Sequence, residues 1–308
     1  MTSIRRAGAL VLAVVAILAT AALLGWSTAS PGAEAGPSVP VAGQPFDPGS
    51  VTMTPVAAPT DGTEPPSPTA GTRSVIGADD RIAVQDTTAY PARAIGRLTF
   101  RQRGQSYFCT AFLISADTVA TAGHCVHDGL SDSNDGYSVD VVFTPGQRGV
   151  GATAAPFGSC AGVELTVTDP WLQGRDEQFD LGFVRLDCTV GDTVGWFGFE
   201  PGGADDPTGA AVTVQGYPFD KPSGTQWTDD DVIDPVEGRQ SFYGADTAPG
   251  QSGSPVFQMR TCRGVAGACV VAVHGYGLHG FPPHRTRNHG ATVTAAVAGE
   301  FHTAVEVP

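Results

Sequence analysis

The chain has 308 residues, 41% of them hydrophobic and 16% charged, enough for one large domain or two small ones. A net charge of −14 at pH 7 argues against nucleic acid or an anionic membrane as partner, because both would repel it. Forty glycines and 24 prolines predict many turns, hence short strands rather than long helices.

The N-terminus reads as an export signal. Arg5 and Arg6 precede an uncharged run from Ala7 to Leu24, and the small residues Ser27-Thr28-Ala29 follow. Residues 1–29 are expected to be a signal peptide cleaved after Ala29, giving a secreted protein. The alternative is an uncleaved anchor, since the apolar run is nearly long enough to span a bilayer. From Ser30 to Arg73 the chain holds ten prolines and almost no large apolar side chains. Such a segment cannot bury enough surface to offset its ordering entropy. Residues 30–73 are therefore expected to be a linker or removable propeptide, with Arg73-Ser74 as the processing bond.

After Ser74 the texture changes. Val-, Ile-, Thr- and Phe-rich segments recur between turn residues: Ala94 to Phe100, Tyr107 to Ile114, Thr118 to Ala122, Val139 to Phe143, Phe183 to Leu186, Ala211 to Gln215, Pro255 to Gln258 and Cys269 to His274. Each has strand length, which predicts an all-β domain of barrel or sandwich type. The reading is two antiparallel six-stranded β-barrels, about 74–190 and 191–290, with a boundary near Gly191 to Gly203 and a C-terminal helix over about 291–307.

Six cysteines in an exported chain predict disulfides. Cys109 and Cys125 flank a strand-turn-strand segment, and a bridge closing that loop of about 15 residues contributes about 3 kcal/mol. Cys262 and Cys269 are placed to clip a hairpin, and Cys160 pairs with Cys188 by elimination.

Two segments carry chemistry: Thr121-Ala122-Gly123-His124-Cys125 and Pro249-Gly250-Gln251-Ser252-Gly253-Ser254-Pro255. A serine hydroxyl is a poor nucleophile unless a neutral imidazole takes its proton and a carboxylate orients that imidazole. Ser252 is the candidate nucleophile and His124 the base. Gly250 permits a turn that aims the N–H groups of residues 250 and 252 at one point, an oxyanion hole. Each segment alone fits a surface turn or a packed histidine. The carboxylate is sought at a strand start between them, where Asp180 opens the apolar run Leu181 to Leu186; Asp169, Asp176 and Asp187 are turn-bound rivals. His274 ends a strand expected to wall the substrate pocket, where it can donate to a carboxylate. His127, His279, His284, His289 and His302 are read as loop or terminal residues without a role. The Asp-rich stretches Asp128 to Asp135 and Asp229 to Asp234 lack an ordered calcium loop with a closing Glu, so solvated loops are favoured over a structural calcium.

Four strings in order resemble the bacterial glutamyl endopeptidases, the secreted Bacillus branch of the chymotrypsin-like serine peptidases. They are SVIGADDR from Ser74, TVATAGHC from Thr118, QGYPFDKPSGTQW from Gln215 and DTAPGQSGSPVF from Asp246. The resemblance implies His124, Asp180 and Ser252 as triad, and cleavage after Glu, less readily after Asp. It also implies that Thr247, His274 and the α-amino group of a mature Ser74 hold the substrate carboxylate. The expected product is a monomer acting on acidic protein and peptide substrates, with no cofactor and no catalytic metal. Two departures stand out: Ala248-Pro249 before the serine turn, and a long Leu278 to Asn288 stretch carrying Arg285 and Arg287. Two alternatives stay open, a trypsin-like specificity for basic residues through Asp246 and an inactive binding module on the same fold.

Overall fold

The computed structural model describes residues 74–130, 136–199, 206–262, 265–294 and 297–299. The expected signal peptide and propeptide lie outside them. A short N-terminal strand, β1 (Ile82–Ala83), precedes six strands: β2 (Ile95–Gln102), β3 (Gln105–Leu113), β4 (Thr118–Thr121), β5 (Val139–Pro145), β6 (Cys160–Val167) and β7 (Gly182–Leu186). These six close into a barrel in the order β2-β3-β4-β7-β6-β5. The β2–β3 hairpin turns through Arg103 and Gly104, both at positive φ (48° and 75°), a two-residue connection whose twist matches its strands. Leu98, Ala111, Leu113, Val119, Phe143, Leu165 and Val184 fill the barrel interior.

The remaining strands are β8 (Gly198–Phe199), β9 (Ala211–Gly216), β10 (Trp227–Val232), β11 (Gln240–Tyr243), β12 (Pro255–Cys262), β13 (Val265–Tyr276) and β14 (Asn288–Thr292). They pair with β1 in the order β1-β10-β9-β12-β13-β14-β11, with β8 parallel to β13. This corrects the expectation of a second closed six-stranded barrel: among the described residues the second sheet is a half-barrel. Its β10 edge is covered by β1 instead of by β11, so backbone groups that closure would pair are met by the N-terminal segment. Residues 74–83 accordingly belong with the second sheet and not with the first barrel, where the sequence reading put them. Phe108 and Phe112 of the barrel pack with Phe197, Tyr217, Phe257 and Val273 in a core shared by the two sheets.

Two further corrections concern single segments. Asp229 to Asp231 are not a solvated loop but the middle of β10. Their carboxylates accept hydrogen bonds from Asp246 N (2.6 Å), Thr213 Oγ1 (2.6 Å) and Gly244 N. The expected helix from Ala291 does not begin there: Ala291 and Thr292 complete β14, paired with β11 and β13. Val293 and Thr294 are not helical either; helical backbone is present at residues 297–299, and residues 295–296 and 300–307 of that expected helix lie outside the described residues. The disulfides Cys109–Cys125, Cys160–Cys188 and Cys262–Cys269 form as the spacing suggested.

Candidate active site

β4 and β7 are antiparallel neighbours, with Thr121 opposite Gly182. Carried past the strand ends, that register sets the residues after β4 against those before β7. His124 lies there in the one-turn helix Gly123–Val126, and Asp180 ends the 3₁₀ turn Glu177–Phe179. The Asp180 carboxylate is buried. One oxygen accepts the His124 backbone N–H at 2.7 Å and the other lies 2.7 Å from His124 Nδ1. A carboxylate so placed fixes the imidazole tautomer and leaves Nε2 on the far side of the ring. Gly123 must be glycine, because a Cβ would stand 2.8 Å from the carboxylate. Trp171 and Tyr276 border the ring at centroid distances of 6.2 and 5.8 Å. The rival carboxylates are engaged elsewhere: Asp187 accepts Ala161 N and Asp176 accepts Gln178 N. Asp169 opens the short helix Asp169–Gly174.

The serine turn is built from the other sheet. The β12–β13 ladder extends through Gly253 N to His274 O (2.7 Å) and His274 N to Ser254 O (2.9 Å), which fixes the turn just before β12. Gly250 and Gly253 take φ of 94° and 83°. A Cβ at Gly253 would collide with Thr110 O and Thr121 Oγ1, so the turn sits directly on the barrel wall. Thr110 N donates to Ser252 O at 2.8 Å and Thr110 Oγ1 to Gly250 O at 2.9 Å. The N–H groups of residues 250 and 252 have no acceptor among the described residues, as donors reserved for a substrate oxygen require. Ser252 Oγ lies 3.5 Å from Gly275 O, and a Cβ at Gly275 would lie 3.3 Å from Asp180 Oδ2. Ser252, Asp180 and His124 thus share one edge between the sheets.

Beside them, His274 is buried and its Nδ1 lies 2.7 Å from the Tyr243 hydroxyl. Burial, and then the neighbouring His289 and His124, lower its pKa to about 3, and burial raises the Tyr243 phenol well above its usual range. At neutral pH both are uncharged, so a phenol that donates to Nδ1 leaves Nε2 carrying the proton. Thr247 is buried with its hydroxyl unpartnered, and its N–H donates to Ser74 O at 3.1 Å. Asn288 Nδ2 also binds Ser74 O, at 2.6 Å, and Asn288 stands opposite Tyr243 in the β11–β14 pairing. The structure therefore gathers Ser74, Thr247, Tyr243 and His274 around one end of β14. Asp246 is also buried, but its carboxylate accepts Ile76 N (2.6 Å) and Asp80 N (3.2 Å), holding the N-terminal segment. Arg287 pairs with Asp234, and Arg285 is exposed.

Sequence reasoning missed Tyr243 and Thr110, which act through contacts between distant strands. It also misplaced His127 and His289, both fully buried, with His289 inside β14. The Gln215 to Trp227 string has a structural explanation. Gln226 Nε2 reaches Ala92 O, Ile95 O and Tyr217 OH, tying the second sheet to the start of the barrel.

Comparison with known proteins bears on the fold and the family. The glutamyl endopeptidase of Bacillus licheniformis is 38% identical over 226 residues, covering 73% of this chain and 67% of that protein. A Bacillus subtilis protein named extracellular metalloprotease is 34% identical over 206 residues, 66% of this chain and 63% of its own length. The chain thus spans about two thirds of these relatives. A solved structure of a Glu endopeptidase in complex with MPD superimposes with a TM-score of 0.61 at 27% identity, covering 75% of this chain and 99% of that one. With the trypsin family model matched over residues 82–283, the chain belongs to the trypsin family of serine peptidases and has a chymotrypsin-like fold.

Proposed function

We propose that the protein is a secreted endopeptidase that cuts after glutamate, and less readily after aspartate, through an acyl-enzyme on Ser252. His124 takes the hydroxyl proton and returns it to the leaving amine. Asp180 orients the imidazole, and the N–H groups of Gly250 and Ser252 receive the developing oxyanion. Water then releases the acyl group.

The observation that carries the specificity is His274: buried, uncharged at neutral pH, held at Nδ1 by Tyr243 and left with Nε2 as a donor. A substrate carboxylate is the partner such a donor favours, and it also favours protonation of the ring. The unpartnered Thr247 hydroxyl and the position of Ser74 support the same pocket. Processing at Arg73-Ser74 would place a new α-amino group beside it. A trypsin-like preference has less support, because both Asp246 carboxylate oxygens already accept backbone N–H groups.

N-terminal mapping of the secreted protein together with a cleavage-site profile tests this reading. The expected result is a start at Ser74 and cuts after Glu. Cuts after Arg or Lys would overturn the specificity. Ser252→Ala should abolish cleavage without unfolding the protein, and residual full activity would remove Ser252 from its role.

A further inference from the structure

Three histidines left out of the reaction meet one carboxylate. Glu177 opens the 3₁₀ turn that ends at Asp180, His279 and His284 lie in the loop after β13, and His289 is in β14. His279 Nε2 is 3.4 Å and His289 Nε2 3.8 Å from the same oxygen, Glu177 Oε2. The three imidazole rings are mutual neighbours, with centroids 4.7 to 5.3 Å apart. Glu177, His284 and His289 can each offer a ligand atom within 4.8 Å of the others'.

Glu177 lies within ion-pair distance of both His279 and His289, but those contacts leave the cluster's ring nitrogens short of full hydrogen bonding. His289 is fully buried, and neither of its ring nitrogens has a hydrogen-bond partner; the buried His279 Nε2 has none either. Buried polar atoms left unsatisfied cost free energy, and natural proteins rarely leave several together. A metal ion would use those lone pairs. Three imidazole nitrogens and one carboxylate oxygen are borderline donors, suited to Zn²⁺ and unlike the all-oxygen sets that hold calcium or magnesium. In a tetrahedral zinc site with bonds near 2.0 Å the ligand atoms stand about 3.3 Å apart. The two contacts to Glu177 are already close to that, and small ring rotations bring in His284.

The surroundings are preorganised. His279 N donates to His284 O at 2.9 Å, Thr286 N to Pro283 O at 2.8 Å and Arg287 N to Pro283 O at 3.0 Å, so the loop is folded on itself. Tyr276 stacks on His289, and Phe242 packs against His284 and His289, giving an aromatic shell. We propose that Glu177, His279, His284 and His289 form a four-ligand site for a divalent transition-metal ion, Zn²⁺ foremost, which ties the loop after β13 to the turn that carries Asp180. Tyr276, stacked on His289 and bordering His124, places this site next to the reacting groups without making it part of them.

The test uses the full chain, stripped with a chelator and titrated with Zn²⁺ by calorimetry and with Co²⁺ by visible absorption. One equivalent of Zn²⁺, a strong four-coordinate Co²⁺ spectrum and a Tm that rises with added Zn²⁺ are expected. His279→Ala and His284→Ala, both in a partly exposed loop, should each weaken Zn²⁺ binding at least about 100-fold, since loss of even an outer-shell partner costs about 10- to 100-fold. Glu177→Gln keeps the size of the side chain and should show the same loss, with near-UV circular dichroism reporting that each variant is folded. His124→Ala should leave Zn²⁺ affinity unchanged. The proposal is overturned if the parent takes up no Zn²⁺, if Co²⁺ gives the weak spectrum of a six-coordinate ion, if the His279→Ala/His284→Ala double variant binds like the parent, or if affinity is lost in His124→Ala instead.

Discussion

His124 and His274 carry the same side chain in opposite settings. His124 keeps about a quarter of its side chain exposed and has Asp180 at Nδ1, whereas His274 is buried with a phenol at Nδ1. The first environment leaves the ring partly open to solvent with a carboxylate on one nitrogen, the arrangement that the proposed general base needs. Asp180→Asn should leave the fold intact and lower kcat about 10⁴-fold, as the same change does in a related triad, because the imidazole is then held in the wrong tautomer. Unchanged kcat would remove Asp180 from its role. The second environment makes a stability prediction. Burial holds the folded His274 down to about 3 against an ordinary 6.5. Between those values the unfolded chain binds a proton that the folded chain does not, so stability is lost as pH falls through that window. By about pH 5 this one residue removes about 2 kcal/mol. Urea unfolding of His274→Gln should therefore decline less between neutral pH and about pH 5 than the parent does, and parallel declines would refute the assignment. Both histidines were identifiable in the sequence from their places at strand ends. Their environments were not, because Tyr243 lies far from His274 along the chain and meets it only through the pairing of β11, β14 and β13.

At the scale of elements, the site depends on two strand registers. The β4–β7 pairing opposes His124 and Asp180, and the β12–β13 pairing fixes the serine turn. Gly253 is where the two meet, at φ 83° against Thr110 and Thr121. Gly253→Ala should destabilise the protein by about 3 kcal/mol or more, from the strained φ and the collision with the barrel wall, and should depress kcat by moving the neighbouring nucleophile. A thermal-unfolding midpoint equal to the parent's would contradict that packing. Strands with apolar alternation were legible in the sequence. β10 was not, because its aspartates read as solvated while their carboxylates bind neighbouring N–H groups. β14 was missed, with Asn288 and His289 read as loop and Ala291 and Thr292 as the start of a helix, since Asn288-His289-Gly290-Ala291-Thr292 has no strand-like pattern and is wholly buried only because strands lie on both sides of it.

Over the whole molecule, the N-terminal segment covers one edge of the second sheet and reaches the pocket. Asp246 holds Ile76 and Asp80, while Ser74 O is shared by Thr247 and Asn288. Asp246→Asn keeps the shape but turns one accepting oxygen into an NH2 donor, so one of the two hydrogen bonds is lost and the other loses its charge, which should cost on the order of 2 kcal/mol and raise KM for glutamyl substrates more than it lowers kcat. Equal effects on both constants would place Asp246 outside the pocket's support. The all-β class was legible in the sequence, cysteine spacing suggested the disulfide pairs that form, and short motifs singled out His124 and Ser252, with Asp180 favoured over three other aspartates as the carboxylate. Periodicity, cysteine spacing and short motifs record local backbone geometry, and local geometry is written in neighbouring residues. The tertiary structure alone decided that the second sheet stays a half-barrel covered by β1, that Asp246 serves the N-terminus, and that three histidines without an assigned role surround Glu177. Those arrangements depend on which distant strands pair, and in a β protein that choice follows from the packing of the whole chain.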